Sequence, residues 1–119
     1  MKKIKTKIFC DIAELKVIKK FNKKNIVEGF TTNPSLTKKA GAKDYKAYSK
    51  KILKICKNKP VSLEVFADDY HKMRDQALKI NTWGKNVYVK IPVTNTKGSF
   101  TGKIIKELNH MNIKLNITA

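Results

Sequence analysis

Apolar positions fall into two rhythms along this chain. In five short runs, at residues 7–11, 26–31, 61–66, 87–91 and 114–118, they recur at every second residue, as half-buried strands require. Between these runs the spacing is helical. Leu15, Ile18 and Phe21 share one side of a first helix, and Tyr45, Tyr48, Ile52 and Ile55 share one side of a second, with Asp44 placed to cap it. Tyr70, Met73, Ala77 and Ile80 predict a third helix, starting near Asp68 and ended by Gly84. Ile104, Ile105, Leu108 and Met111 predict a fourth, with Ser99 or Thr101 near its start. The strand-to-strand spacing is that of βα units, so the expected sheet is parallel. No linker, repeat or low-complexity segment interrupts the pattern, and residues 1–119 read as one domain.

The alternation within each strand says more than the number of strands. One parity is apolar: Ile8, Cys10 and Ile12; Val61, Leu63 and Val65; Val87, Val89 and Ile91; Leu115 and Ile117. The other ends in polar groups: Asp11; Thr31 and Asn33; Glu64; Lys90; Asn116 and Thr118. An open sheet with helices on both faces favours continuously apolar strands. A barrel covers only its outer face with helices and gathers polar groups inside, at the carboxyl ends of the strands, where barrel active sites lie. The expected fold is therefore of an α/β barrel type, with five strands and four helical connections present.

Lys90 stands out within that set, in the middle of the otherwise apolar segment NVYVKIPVT. An ammonium buried without a partner costs several kcal/mol, so such a residue needs a reason to be there. Either its head reaches solvent from an edge strand, or its amine is positioned to attack a carbonyl and form a Schiff base.

Composition adds charge to this picture. The 119 residues are 41% hydrophobic, enough for one modest core, and carry 27 basic and 9 acidic groups for a formal net charge of +18. That balance suits a polyanion or phosphorylated metabolites. Yet the lysines are spread over every predicted helix, Arg74 is the only arginine, and no interleaved aromatic and basic motif marks an RNA-binding surface, so no specific nucleic-acid partner is expected. Cys10 and Cys56 lie in apolar contexts without metal or redox spacing, which points to a reduced, cytoplasmic chain. The start, MKKIKTKIFCDIAE, is basic, but its apolar stretch is short and interrupted by Asp11 and Glu14, so neither a signal peptide nor a membrane span is expected. His71 and His110 have no companion ligands, and no metal is expected.

FCDIAE, GFTTNPSL, SLEVFADD, NVYVKIPVT and KLNITA, in this order, resemble the transaldolases, in particular their small single-barrel microbial subfamily. The resemblance runs from about Lys7 to Ala119, and the combination of TTNPSL with VKIPVT is its most specific part. It implies a (β/α)8 barrel that moves a dihydroxyacetone unit between sugar phosphates of the pentose phosphate pathway (fructose 6-phosphate, erythrose 4-phosphate, sedoheptulose 7-phosphate and glyceraldehyde 3-phosphate). It also implies a lysine Schiff base, no cofactor, and a homo-oligomer in the full-length form. By the same resemblance Lys90 is the imine-forming lysine, and Asp11 takes the hydroxyl proton during carbon–carbon cleavage and returns it on addition. Glu64 holds, with Thr118, the water that shuttles protons. Asn33 and Asn116 bind substrate hydroxyls, with Thr31 beside Asn33 on the same parity. Fructose 6-phosphate aldolases, the lyase alternative, share the barrel and the lysine but usually carry glutamine where this chain has Glu64.

Each of these residues also has a purely structural reading. Asp11 could cap the first helix, Asn33–Pro34 could form a turn before a helix, Glu64 and Lys90 could be a buried ion pair, and Thr118 could be an ordinary β-branched strand residue. A complete barrel has eight strands and typically more than ~200 residues, so this chain is expected to be a truncated barrel without the phosphate-binding groups of later strands. A non-catalytic basic half-barrel that binds polyanions or associates with itself is the alternative of a different class.

Overall fold

A computed structural model describes residues 5–119; the first four residues of the basic N-terminal stretch lie outside the described residues. The elements alternate as the periodicity predicts. They are β1 (Ile8–Asp11), α1 (Leu15–Asn22), β2 (Val27–Thr32), α2 (Pro34–Lys39), α3 (Tyr45–Cys56), β3 (Val61–Glu64), α4 (Tyr70–Asn81), β4 (Val87–Pro92), α5 (Gly102–His110) and β5 (Leu115–Thr118). The five strands form one parallel sheet in the order β1-β2-β3-β4-β5, curled into a half-barrel with the helices on its convex side. Asp11 lies opposite Thr31, Glu64 opposite Lys90, and Lys90 opposite Asn116. Between β1 and β2 the register slips at Ile8 and Phe9, and Phe9 pairs with Gly29. The Phe9 ring then covers Gly29 so closely that any side chain there would collide with it.

The core lies between the sheet and the helices. Val61, Leu63, Val65, Val87, Val89 and Ile91 on the outer parity are all buried, against Ile18, Ile52, Met73, Ala77, Ile80, Ile104 and Leu108 from the helices. Each large side chain buried in this way contributes about 1.5–3 kcal/mol of transfer free energy. The opposite parity faces the concave side, where on β4 the half-buried Tyr88, Lys90 and Pro92 alternate with buried residues.

Four local expectations are corrected. The second connection contains an extra helix, α2, with Asn33 as N-cap and Pro34 in its first turn, so β2 and β3 are joined by two helices. The third helix is capped by Asp69, whose side chain accepts from His71 N–H; the Asp68 carboxylate instead accepts from the Thr96 N–H at 2.8 Å and hydroxyl at 2.6 Å. That helix ends at Asn81, ahead of Gly84, with Thr82 as its C-cap. β3 stops at Glu64 because the next two free N–H groups, of Phe66 and Ala67, donate to the side-chain oxygen of Gln76 at 2.8 and 2.9 Å. The fourth helix does begin after Thr101, but that hydroxyl donates back to the carbonyls of Pro92 and Val93 and does not cap it. Asp44 caps α3, accepting from Ala47 N–H at 3.0 Å.

Candidate active site

β4 places Lys90 at the centre of the concave face, with β3 and β5 on either side. Its side chain is only 13% exposed. The ammonium nitrogen donates to the Thr31 hydroxyl at 3.2 Å, reaching across β3 to β2. A Glu64 carboxylate oxygen lies 4.0 Å away, at the outer limit of an ion pair. Lys90 thus has two polar neighbours on the concave face, and each comes from a different strand.

Glu64 is held by both ends. The Tyr45 hydroxyl donates to its backbone carbonyl at 3.0 Å, pinning the last residue of β3 to α3. Burial pushes its carboxyl above the usual glutamate range; Lys90 pulls it back down, and the negative charge of Asp11 pushes it up again. Asp11 itself is exposed at the end of β1, yet close enough for Glu64 to feel its charge.

The other expected residues divide. On β5, Asn116 donates from its side-chain amide to the Ser62 hydroxyl at 3.0 Å, so it is turned toward β3. Thr118 lies further along the same strand, opposite Pro92, and its carbonyl accepts from Val93 N–H at 2.7 Å. Asn33 caps α2 with its oxygen, which accepts from Leu36 N–H at 2.8 Å. Its two amide N–H groups remain available to donate to a ligand. A cleft of about 500 Å³ opens beside it, lined by Asn33, Glu64, Asp68 and the Thr94–Thr96 loop among others. The structure therefore brings Lys90, Thr31 and Glu64 together with Asp11 in electrostatic reach, and joins Glu64 to Asn33 along one cleft. Asn116 stands beside Lys90 in register on β5 with its amide on Ser62, and the contact described for Thr118 is that of its backbone carbonyl.

Two contributors were not anticipated. Ser62 shares the parity of Glu64 in VSLEV, so it was open to the same reasoning that selected Glu64. Tyr45 reaches Glu64 from a helix, and nothing in strand alternation points to it. Among the described residues no three His, Cys, Asp or Glu side chains come close enough to hold a metal ion, and no helix is long and apolar enough to cross a membrane.

Residues 8–119 match the family model described as transaldolase/fructose-6-phosphate aldolase. A protein of Dehalococcoides mccartyi named "probable transaldolase" is 39% identical over 112 residues, covering 94% of this chain and 50% of that protein. Proteins of the same name from Nitrosopumilus maritimus and Thermoplasma volcanium are each 41% identical, covering 94% of this chain and 48% and 49% of theirs. The chain thus spans about half the length of the curated relatives it matches. With nearly all of it matched by one family model, from the first strand to the last, the chain belongs to the transaldolase/fructose-6-phosphate aldolase family.

Proposed function

We propose that this chain supplies the imine-forming part of a cytoplasmic transaldolase, which transfers a dihydroxyacetone unit between sugar phosphates of the pentose phosphate pathway. The observation that carries the reading is the placement of Lys90. It is a lysine 13% exposed on the concave face of a parallel sheet, with a hydroxyl at 3.2 Å and a carboxylate at 4.0 Å.

The chemistry follows from those neighbours. In its neutral form the Lys90 amine attacks C2 of fructose 6-phosphate, and the carbonyl oxygen becomes the hydroxyl of a carbinolamine. Glu64, whose carboxyl keeps its proton further up the pH scale than usual, gives a proton to that hydroxyl as it leaves as water. Asp11 takes the proton of the C4 hydroxyl. The C3–C4 bond breaks, its electrons move into the iminium to form an enamine, and glyceraldehyde 3-phosphate departs as the aldehyde. The enamine carbon then attacks the aldehyde of erythrose 4-phosphate, Asp11 returns the proton to the new hydroxyl, and water returned through Glu64 frees sedoheptulose 7-phosphate. Asn33 and Asn116 offer amide groups to substrate hydroxyls, while Thr31 orients the amine. Thr118 joins Glu64 in holding the water. Glu64 also supports transfer over the lyase reaction, because an amide in its place has no proton to exchange in this way.

Borohydride trapping tests this on the chain itself. Incubation with fructose 6-phosphate and borohydride should leave a reduced adduct that peptide mapping locates on Lys90, and Lys90→Ala should reduce trapping at least tenfold. An adduct mapped to another lysine, or undiminished trapping in Lys90→Ala, overturns the assignment.

A further inference from the structure

The lysines of this chain are spread along the sequence, and two of its helices carry them without acids. α1 contributes Lys16, Lys19 and Lys20, and α3 contributes Lys46, Lys50, Lys51 and Lys54, all exposed; neither helix contains an acidic residue beyond its N-cap, Glu14 and Asp44. α4 and α5, by contrast, carry Asp75 and Glu107, and Arg74 of α4 is paired with both. Among the described residues, none of the α1 and α3 lysines lies within ion-pair distance of a carboxylate.

α1 and α3 also lie side by side in the same direction. The Tyr48 hydroxyl donates to the carbonyl of Ala13 at 2.6 Å near their N-terminal ends, and the Asn22 amide donates to the carbonyl of Ile55 at 3.0 Å near their C-terminal ends. Lys59 ties the same end together, donating to the carbonyls of Asn22 and Lys24. Lys16 and Lys20 are one helical turn apart on α1, as are Lys50 and Lys54 on α3. Like charges at that spacing repel within each helix, and the packing of α1 against α3 puts both sets of exposed lysines on the outer side of one helix pair. The result is a cationic face on the convex side of the half-barrel, without ion pairs among the described residues, away from the concave face that holds Lys90.

We propose that the α1–α3 face binds the phosphate backbone of duplex nucleic acid without regard to sequence. Its chemistry is that of exposed ammonium groups, which displace condensed counterions. No aromatic side chain of α1 or α3 is exposed for single-stranded bases to stack on, since Phe21, Tyr45 and Tyr48 are half-buried. The face also lacks a fork of arginines to read base edges.

The experiment compares two fourfold variants with the parent chain. One replaces Lys16, Lys20, Lys50 and Lys54 by Gln; the other replaces Lys72, Lys79, Lys103 and Lys106 by Gln. Lysine and glutamine have nearly equal helix propensity, so both should fold, as a thermal melt will show. Anisotropy of a labelled duplex of random sequence is read across a salt series. The α1–α3 variant should lose at least tenfold in affinity at low salt, and its slope of log K against log salt should flatten by about 3–4. The α4–α5 variant should stay within about threefold of the parent, as loss of a few non-contacting charges predicts. Equal losses in the two variants would show diffuse charge and overturn the proposal. Tighter binding to vesicles containing phosphatidylserine than to the duplex at the same salt would overturn it in favour of a membrane surface. Should the fourfold variant fail to melt cooperatively, the pair Lys50→Gln and Lys54→Gln is used, with at least a threefold loss expected and no loss overturning the proposal.

Discussion

The Glu64 carboxyl holds its proton above the ordinary glutamate range because burial outweighs the attraction of Lys90. The folded chain therefore binds this proton more tightly than the unfolded chain does. Below the unfolded value both states are protonated and the group makes no difference. As pH rises from there through the folded value, stability falls. Glu64→Gln removes the titration. Urea unfolding between about pH 4 and pH 8 should show parent stability declining relative to Glu64→Gln and levelling off once the folded carboxyl has ionised. A difference that does not vary with pH would mean that the carboxyl is fully solvated. At this scale the sequence was informative wherever a side chain projects from a strand, because alternation fixes the face: Lys90, Glu64 and Thr31 share the concave side as expected. It was less informative about what else a side chain does there. Asn33 spends its oxygen on a helix cap, and Asn116 turns to Ser62, choices decided by local backbone and neighbouring strands that strand parity does not describe.

Between strands, the periodic helices were legible because each buries one stripe, and the strands because each has one covered face. The short helix α2 escaped because its six residues, PSLTKK, offer too little apolar periodicity to register. Its signal was chemical, with Asn at the N-cap and Pro at the first position. The early end of β3 escaped for a related reason, since a glutamine side chain ten residues from Phe66 takes over the hydrogen bonds of the ladder. Asn33→Ala should destabilise the chain by about 1 kcal/mol, while Asn33→Asp, which can still accept from Leu36 N–H, should change it by only a few tenths. Equilibrium unfolding of both variants checks this. Equal losses would show that the capping oxygen contributes little.

The molecule as a whole combines exposed sheet edges with a large charge of one sign. β1 and β5 are the outer strands of the sheet, and Ile8, Phe9 and Ile117 on them are 37%, 40% and 42% exposed. Unpaired edges with apolar side chains are templates for association, but a net charge of +18 keeps copies apart. Salt screens that repulsion, with a Debye length of about 8 Å at physiological ionic strength. The chain should therefore self-associate more as salt is added, whereas duplex binding weakens. Sedimentation velocity at about 50 mM and about 500 mM salt reads this directly, and Ile117→Lys should shift the high-salt distribution toward monomer. A monomer at both salt concentrations would show that the edges are inert. The half-barrel itself was legible from five strands of one polarity pattern and the βα spacing, because those two features allow few other topologies.

That order of strands has a consequence in time. Each strand pairs only with its predecessor and successor in the chain, so on synthesis every strand's earlier neighbour is already made when it appears. Synthesis proceeds from the N-terminus at about 5–20 residues per second, slow beside the ~1 μs relaxation of a helix. Thr31 and Glu64 are both made before Lys90. The hydroxyl and the carboxylate that face Lys90 in the folded sheet are therefore both synthesised before the ammonium they meet.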